Sequence, residues 1–212
     1  FAADEFGALN DFLAAITLRE DWRKDLDRFH KEAGLERVRF HNIFGDELGV
    51  WAFGDKPNFQ NVDAVYDGLL AHGVQPFVEL SFLPRKLASG SRKFGFYGAN
   101  VSTPTSLEDW SSFIQTFVRH LIGRYGVAEV RQWCFEVWNE PDLSFFFTGK
   151  QEDYFQLYKA TAAAIKAVDP ALRVGGPSTS AVQWLEPFLA FCAANDCAVD
   201  FVTTHIYAGD DQ

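Results

Sequence analysis

The sequence has no methionine and only three cysteines in 212 residues, and each scarcity narrows what it can be. Without Met, even at position 1, the sequence fits a processed chain, a piece of a longer protein, or one written without some modified residues. Cys134 lies in an apolar run, and Cys192 and Cys197 flank a helix end, so none has the spacing of a zinc ligand and no metal is expected. Those last two read equally as free thiols or as a bridge, which leaves the compartment open. Basic residues are also few: 19 Lys and Arg against 29 Asp and Glu give a net charge of −10. That balance repels polyphosphates and argues against nucleic acid as a partner. No apolar run approaches the roughly 20 residues of a membrane span, and the first ten residues lack the basic-then-apolar order of a secretion signal. A soluble chain with no membrane partner is expected. No Gly-x-Gly-x-x-Gly follows a strand, and Gly175-Gly176-Pro177 lacks the spacing to cradle a pyrophosphate, so no nucleotide cofactor is expected either.

What is present is enough apolar material, 48% of residues, for one substantial core. No repeat or linker divides it, so 1–212 reads as one domain or part of one. From Thr17 onward Leu18, Trp22, Leu26 and Phe29 recur at helical spacing and stop at Gly34. A short apolar strand follows at 37–43. The unit repeats as a helix at 62–72, a strand at 76–80 and a long loop through Gly90, Gly95 and Gly98. It repeats again as a helix at 107–125, with Trp110, Ile114, Phe117 and Leu121 on one face, and a strand at 130–138. Helices at 153–168 and 181–194 alternate with strands at 172–174 and 199–205, while 1–16 reads as partly helical. Helices alternating with short apolar strands predict a parallel sheet of the α/β class. A closed barrel is favoured over an open sheet because polar residues gather at strand ends, on Arg39-Phe40-His41, Glu79, Asn139-Glu140 and His205.

Asn139-Glu140-Pro141 closes a strand of mostly apolar and aromatic residues. A carboxyl group withdrawn from water favours its neutral form, which a general acid needs in order to protonate a glycosidic oxygen. The plainer alternative is a solvated strand-ending turn, and the aromatic, acidic loop at 142–147 argues against it. His205 and Tyr207 stand two apart in an extended stretch and face the same way. His41, at a strand end, could bond a sugar hydroxyl or be a structural histidine, and Glu79 is a strand-end group of open role or a buried carboxylate paired with Arg39. Phe82, Phe94, Phe96 and Tyr97 could wall a sugar ring, although each alone reads as packing. No partner carboxylate for Glu140 is evident. Glu136 would lie on the order of 13 Å away along a regular strand, Asp142 faces a loop, and Asp46 and Glu47 belong to another loop.

Several stretches together carry a resemblance to a known family: Val38-Arg39-Phe40-His41 with 45–50, 76–80 with Leu83-Pro84, 135–141, Val174-Gly175-Gly176-Pro177, and 200–207. From about 18 to 207 the chain resembles glycoside hydrolase family 39, its retaining β-xylosidases and more distantly its α-L-iduronidases. The resemblance implies a (β/α)₈ TIM barrel that is incomplete, with strands two to six present and the last strands absent. It implies release of xylose from β-xylosides with Glu140 as acid/base and Asn139, His41, His205 and Tyr207 lining the sugar subsite. Glu79 becomes a pocket residue, and the nucleophilic Glu falls on a seventh strand outside this chain, so the 212-residue piece alone is expected to be inactive. No cofactor is implied. Tyr207 stands where the iduronidases carry Lys, which favours a neutral pentose over a uronic acid. The alternatives are a relative acting on arabinose or a uronic acid, and a non-catalytic carbohydrate-binding fragment.

Overall fold

The computed structural model describes residues 8–207. Six strands form one parallel sheet: β1 (Ala8–Leu13), β2 (Arg37–His41), β3 (Gln75–Glu79), β4 (Cys134–Glu136), β5 (Arg173–Thr179) and β6 (Phe201–Thr204). They lie side by side in chain order, each pair parallel. Helices α1 (Glu20–Ala33), α2 (Gln60–Ala71), α3 (Leu107–Tyr125), α4 (Gln151–Val168) and α5 (Leu185–Ala194) supply the crossovers. A doubly wound sheet reverses its strand order partway, whereas this one never does; it is six consecutive strands of a (β/α)₈ barrel wall. No helix among the described residues is long and apolar enough to cross a membrane.

The helix stripes dictate the packing. α1 ends on Gly34, whose φ of 71° belongs to the left-handed region, and its N–H bonds back to the carbonyls of His30 and Phe29. α3 starts on Ser106, whose hydroxyl accepts from the N–H of Asp109. It buries Trp110, Phe113, Ile114, Phe117 and Leu121, and the Trp110 indole N–H donates to Thr161 of α4 at 2.8 Å. Each such aromatic contributes roughly 1.5–3 kcal/mol on burial.

Three expectations need correction. The segment 1–16 is mainly extended where it is described: Ala8–Leu13 is a strand paired with β2, and helical geometry enters only with the 3₁₀ turn at Ala14–Leu18; positions 1–7 lie outside the described residues. The open edge of β2 decides this, because strand formation depends on a partner more than on local preference. The wall therefore holds strands one to six rather than two to six. Strand β4 has three residues instead of nine, since Val127–Val130 is a helical turn and Trp138 and Glu140 leave extended backbone at φ 73° and 42°. Strand β5 runs on through Gly175-Gly176-Pro177. A Cβ on Gly175 would stand 2.4 Å from the Phe201 carbonyl oxygen, and one on Gly176 2.8 Å from the Tyr154 hydroxyl. The glycine pair lets β6 and α4 close on β5.

Candidate active site

The polar residues singled out in the sequence come together at the C-terminal ends of the strands. His41 ends β2, Glu79 ends β3, Asn139 and Glu140 follow β4, and His205 follows β6. Period two along β2 points Arg39 the same way as His41, and Arg39 organises the floor. The residue is 5% exposed, and its guanidinium pairs with Glu136 at 2.6 Å and Glu79 at 2.8 Å. It also donates to Asn139 Oδ1 at 2.9 Å and Ser178 Oγ at 3.0 Å. One cation thus ties together side chains of β2, β3, the β4 end and β5. Two buried carboxylates would be costly without it.

Glu79 has the second of the two environments considered for it. It is fully buried, pairs with Arg39, accepts from the Ser81 hydroxyl, and lies 2.7 Å from Nδ1 of His41. Burial pushes its carboxyl up, but Arg39, His41 and Ser81 outweigh that and hold it below the usual carboxylate range. An ionised Glu79 accepts the Nδ1–H of His41 and so fixes the orientation of the ring. The His41 ring is bounded by Phe82 and Phe146, at centroid distances of 6.3 and 6.2 Å.

Glu140 is 7% exposed and approaches Nδ1 of His205 through Oε1 at 2.7 Å. Its backbone N–H donates to the Ser178 carbonyl at 2.8 Å, and that of His205 to the Thr179 carbonyl at 2.8 Å. Both members of the pair are therefore anchored on β5. Tyr207 lies two residues beyond His205 and is half exposed. Asp142 turns away to accept the N–H and hydroxyl of Ser180, and Glu136 is committed to Arg39. Phe82 is a buried part of the wall, stacked on Phe146 with centroids 6.0 Å apart, while Phe96 stands out in solvent.

Sequence reasoning missed the central place of Arg39, missed Ser178 altogether, and took Phe146 only as one ring of the aromatic loop at 142–147. The sequence offered Arg39 only as a partner for Glu79. Ser178 lay beyond the expected end of β5, and Phe146 in a loop with no periodicity to aim it.

The family model of glycosyl hydrolases family 39 matches residues 11–212. A β-xylosidase of Caldicellulosiruptor saccharolyticus is 46% identical over 202 residues, covering 93% of this chain and 41% of that protein. The solved structure of a family 39 β-xylosidase from Caulobacter crescentus superposes with a TM-score of 0.92 at 42% identity, covering 97% of this chain and 47% of that one. Human α-L-iduronidase is more distant, at 31% identity, covering 69% of this chain and 22% of that protein. The chain spans less than half the length of each. Matched across nearly all its length, in sequence and in fold, the chain belongs to glycoside hydrolase family 39.

Proposed function

We propose that the protein containing this chain is a retaining β-xylosidase in which Glu140 is the general acid/base. The observation that carries the reading is the Glu140–His205 contact, set beside Asn139 at the strand ends. In the first step Glu140 gives its proton to the glycosidic oxygen as the bond to the anomeric carbon breaks. A Glu outside these residues attacks that carbon from the opposite face, about 5–5.5 Å from Glu140, as retention requires. In the second step Glu140 takes a proton from water, and the resulting hydroxide displaces the enzyme carboxylate.

The neighbouring groups suit this sequence of events. The Nδ1–H of His205 donates to the carboxylate that forms when Glu140 loses its proton. Asn139, with its oxygen committed to Arg39, offers its NH₂ to a sugar hydroxyl. His41 is placed to contact another, and Glu79 contributes by holding that ring rather than by touching sugar. Tyr207 presents a neutral hydroxyl, which suits a pentose better than a uronate. No organic cofactor or metal enters these steps.

The test is xylose release by the native polypeptide from phenyl β-xyloside, compared with the matching α-L-arabinoside and α-L-iduronide. Fastest cleavage of the xyloside is expected, with β-xylose as the first anomer seen by proton NMR. First appearance of α-xylose would refute retention, and preferred cleavage of either other glycoside would refute the substrate.

A further inference from the structure

Outside the polar floor, a line of aromatic rings runs from the site to the surface. It begins at His41 with Phe146, continues to Phe94 at 4.4 Å between centroids, and divides there. One arm reaches Phe145, stacked on Phe94 at 5.6 Å; the other reaches Tyr97 at 6.2 Å and then Phe96 at 5.4 Å. The rings come from two loops at the C-terminal ends of adjacent strands. Phe94, Phe96 and Tyr97 belong to the hairpin of strands Lys93–Phe94 and Ala99–Asn100 after β3; Phe145 and Phe146 belong to the loop after β4. Exposure rises along the line until Phe145 is 44% and Phe96 95% exposed. Clustered phenyl rings in water carry a free-energy cost that isolated ones spread over a surface do not concentrate, and such clusters mark binding sites.

Position indicates which part of a ligand these rings would meet. The loop bearing Phe145 and Phe146 starts at Glu140, and its first turn is closed by the Leu143 N–H donating to the Glu140 carbonyl at 3.0 Å. An acid must lie within hydrogen-bond reach of the oxygen it protonates, so the leaving group departs beside this loop. The polar groups that could read a hydroxyl pattern are in the floor. The outer rings offer flat apolar faces, with the Tyr97 hydroxyl as their only polar group, and so select for ring faces rather than for a hydroxyl pattern. Building on the β-xylosidase reading above, we propose that Phe94, Phe145, Tyr97 and Phe96 form a leaving-group platform that accepts a second pyranose or an aryl ring and sets the preference for cyclic over small aglycones.

The experiment uses uncleavable phenyl and methyl 1-thio-β-D-xylosides, titrated by calorimetry into the native polypeptide, its Phe145→Ala and Phe96→Ala variants, and Phe145→Trp. The wild type is expected to bind the phenyl compound more tightly. Phe145→Ala should cut the phenyl-to-methyl affinity ratio about tenfold, equivalent to about 1.4 kcal/mol. Phe96→Ala should lower it less, and Phe145→Trp, which keeps a flat ring, should preserve it. Hydrolysis of phenyl β-xyloside by the wild type reports separately on the underlying reading. Intact hydrolysis with a ratio that Phe145→Ala leaves unchanged would overturn the platform alone; no hydrolysis would overturn the reading, and the platform with it.

Discussion

Replacing Arg39 with Met would remove one positive charge from between two buried carboxylates while keeping much of the side chain's bulk. Glu79 and Glu136 lose ion pairs of 2.8 and 2.6 Å, and Asn139 and Ser178 each lose a donor. Breaking one buried pair by removing a partner costs about 3–5 kcal/mol, because the survivor is left charged in a dry site. With two survivors the upper end, about 5 kcal/mol, is the expectation at pH 7. The native polypeptide is longer than the roughly 150–250 residues for which each kcal/mol moves Tm by about 2–4 °C, so a fall of about 10 °C or less should appear in its calorimetry. The loss should also depend on pH. In the wild type the Glu79 carboxyl lies below its usual range, so its contribution is present above the unfolded-state value and fades as pH falls through the lower folded one. In the variant, burial acts without Arg39 and raises the same carboxyl, so the folded state is penalised at neutral pH and relieved as the group takes up a proton. The Tm gap between the two proteins should therefore narrow from pH 7 to pH 4.5. A gap that stays constant over that range, or one under 2 °C at pH 7, would refute the account of Arg39 as the counter-charge of the floor.

Glu140→Ala should reduce cleavage of methyl β-xyloside by about 10²–10⁴-fold, and of a dinitrophenyl β-xyloside far less, since only a poor leaving group needs the proton; steady-state rates that fall equally would count against an acid role. Gly34→Ala places a side chain at φ 71° with nothing within 4 Å, so only backbone strain of about 1–2 kcal/mol should be seen in urea unfolding. Gly175→Ala drives a Cβ to 2.4 Å from the Phe201 carbonyl oxygen, and the rigid backbone there should make the loss exceed the roughly 1–3 kcal/mol usual for overpacking. Equal unfolding midpoints for the two glycine variants would show that the β5–β6 contact is less tight than its geometry indicates.

Much of the architecture was determined by the sequence alone, because it is written in local periodicity. The stripe of Trp110, Ile114, Phe117 and Leu121 defined α3 with its observed bounds, Leu107–Tyr125, and the stop at Gly34 placed the end of α1 correctly. The alternation of helices and apolar strands, with polar residues past the strand ends, was sufficient for a parallel barrel wall and for the neighbourhood of Asn139, Glu140, His41 and His205. Other features had no local signature. Strand β1 exists through its pairing with β2, β4 is cut short by the backbone turn that aims Glu140, and the glycines of β5 matter only because β6 and α4 press against them. Above all, Arg39 and Glu136 are 97 positions apart, and Arg39 and Ser178 are 139. A buried guanidinium's choice among carboxylates is settled by distance and desolvation, which exist only once the strands stand side by side, so the tertiary structure alone decided what lies beneath Glu140.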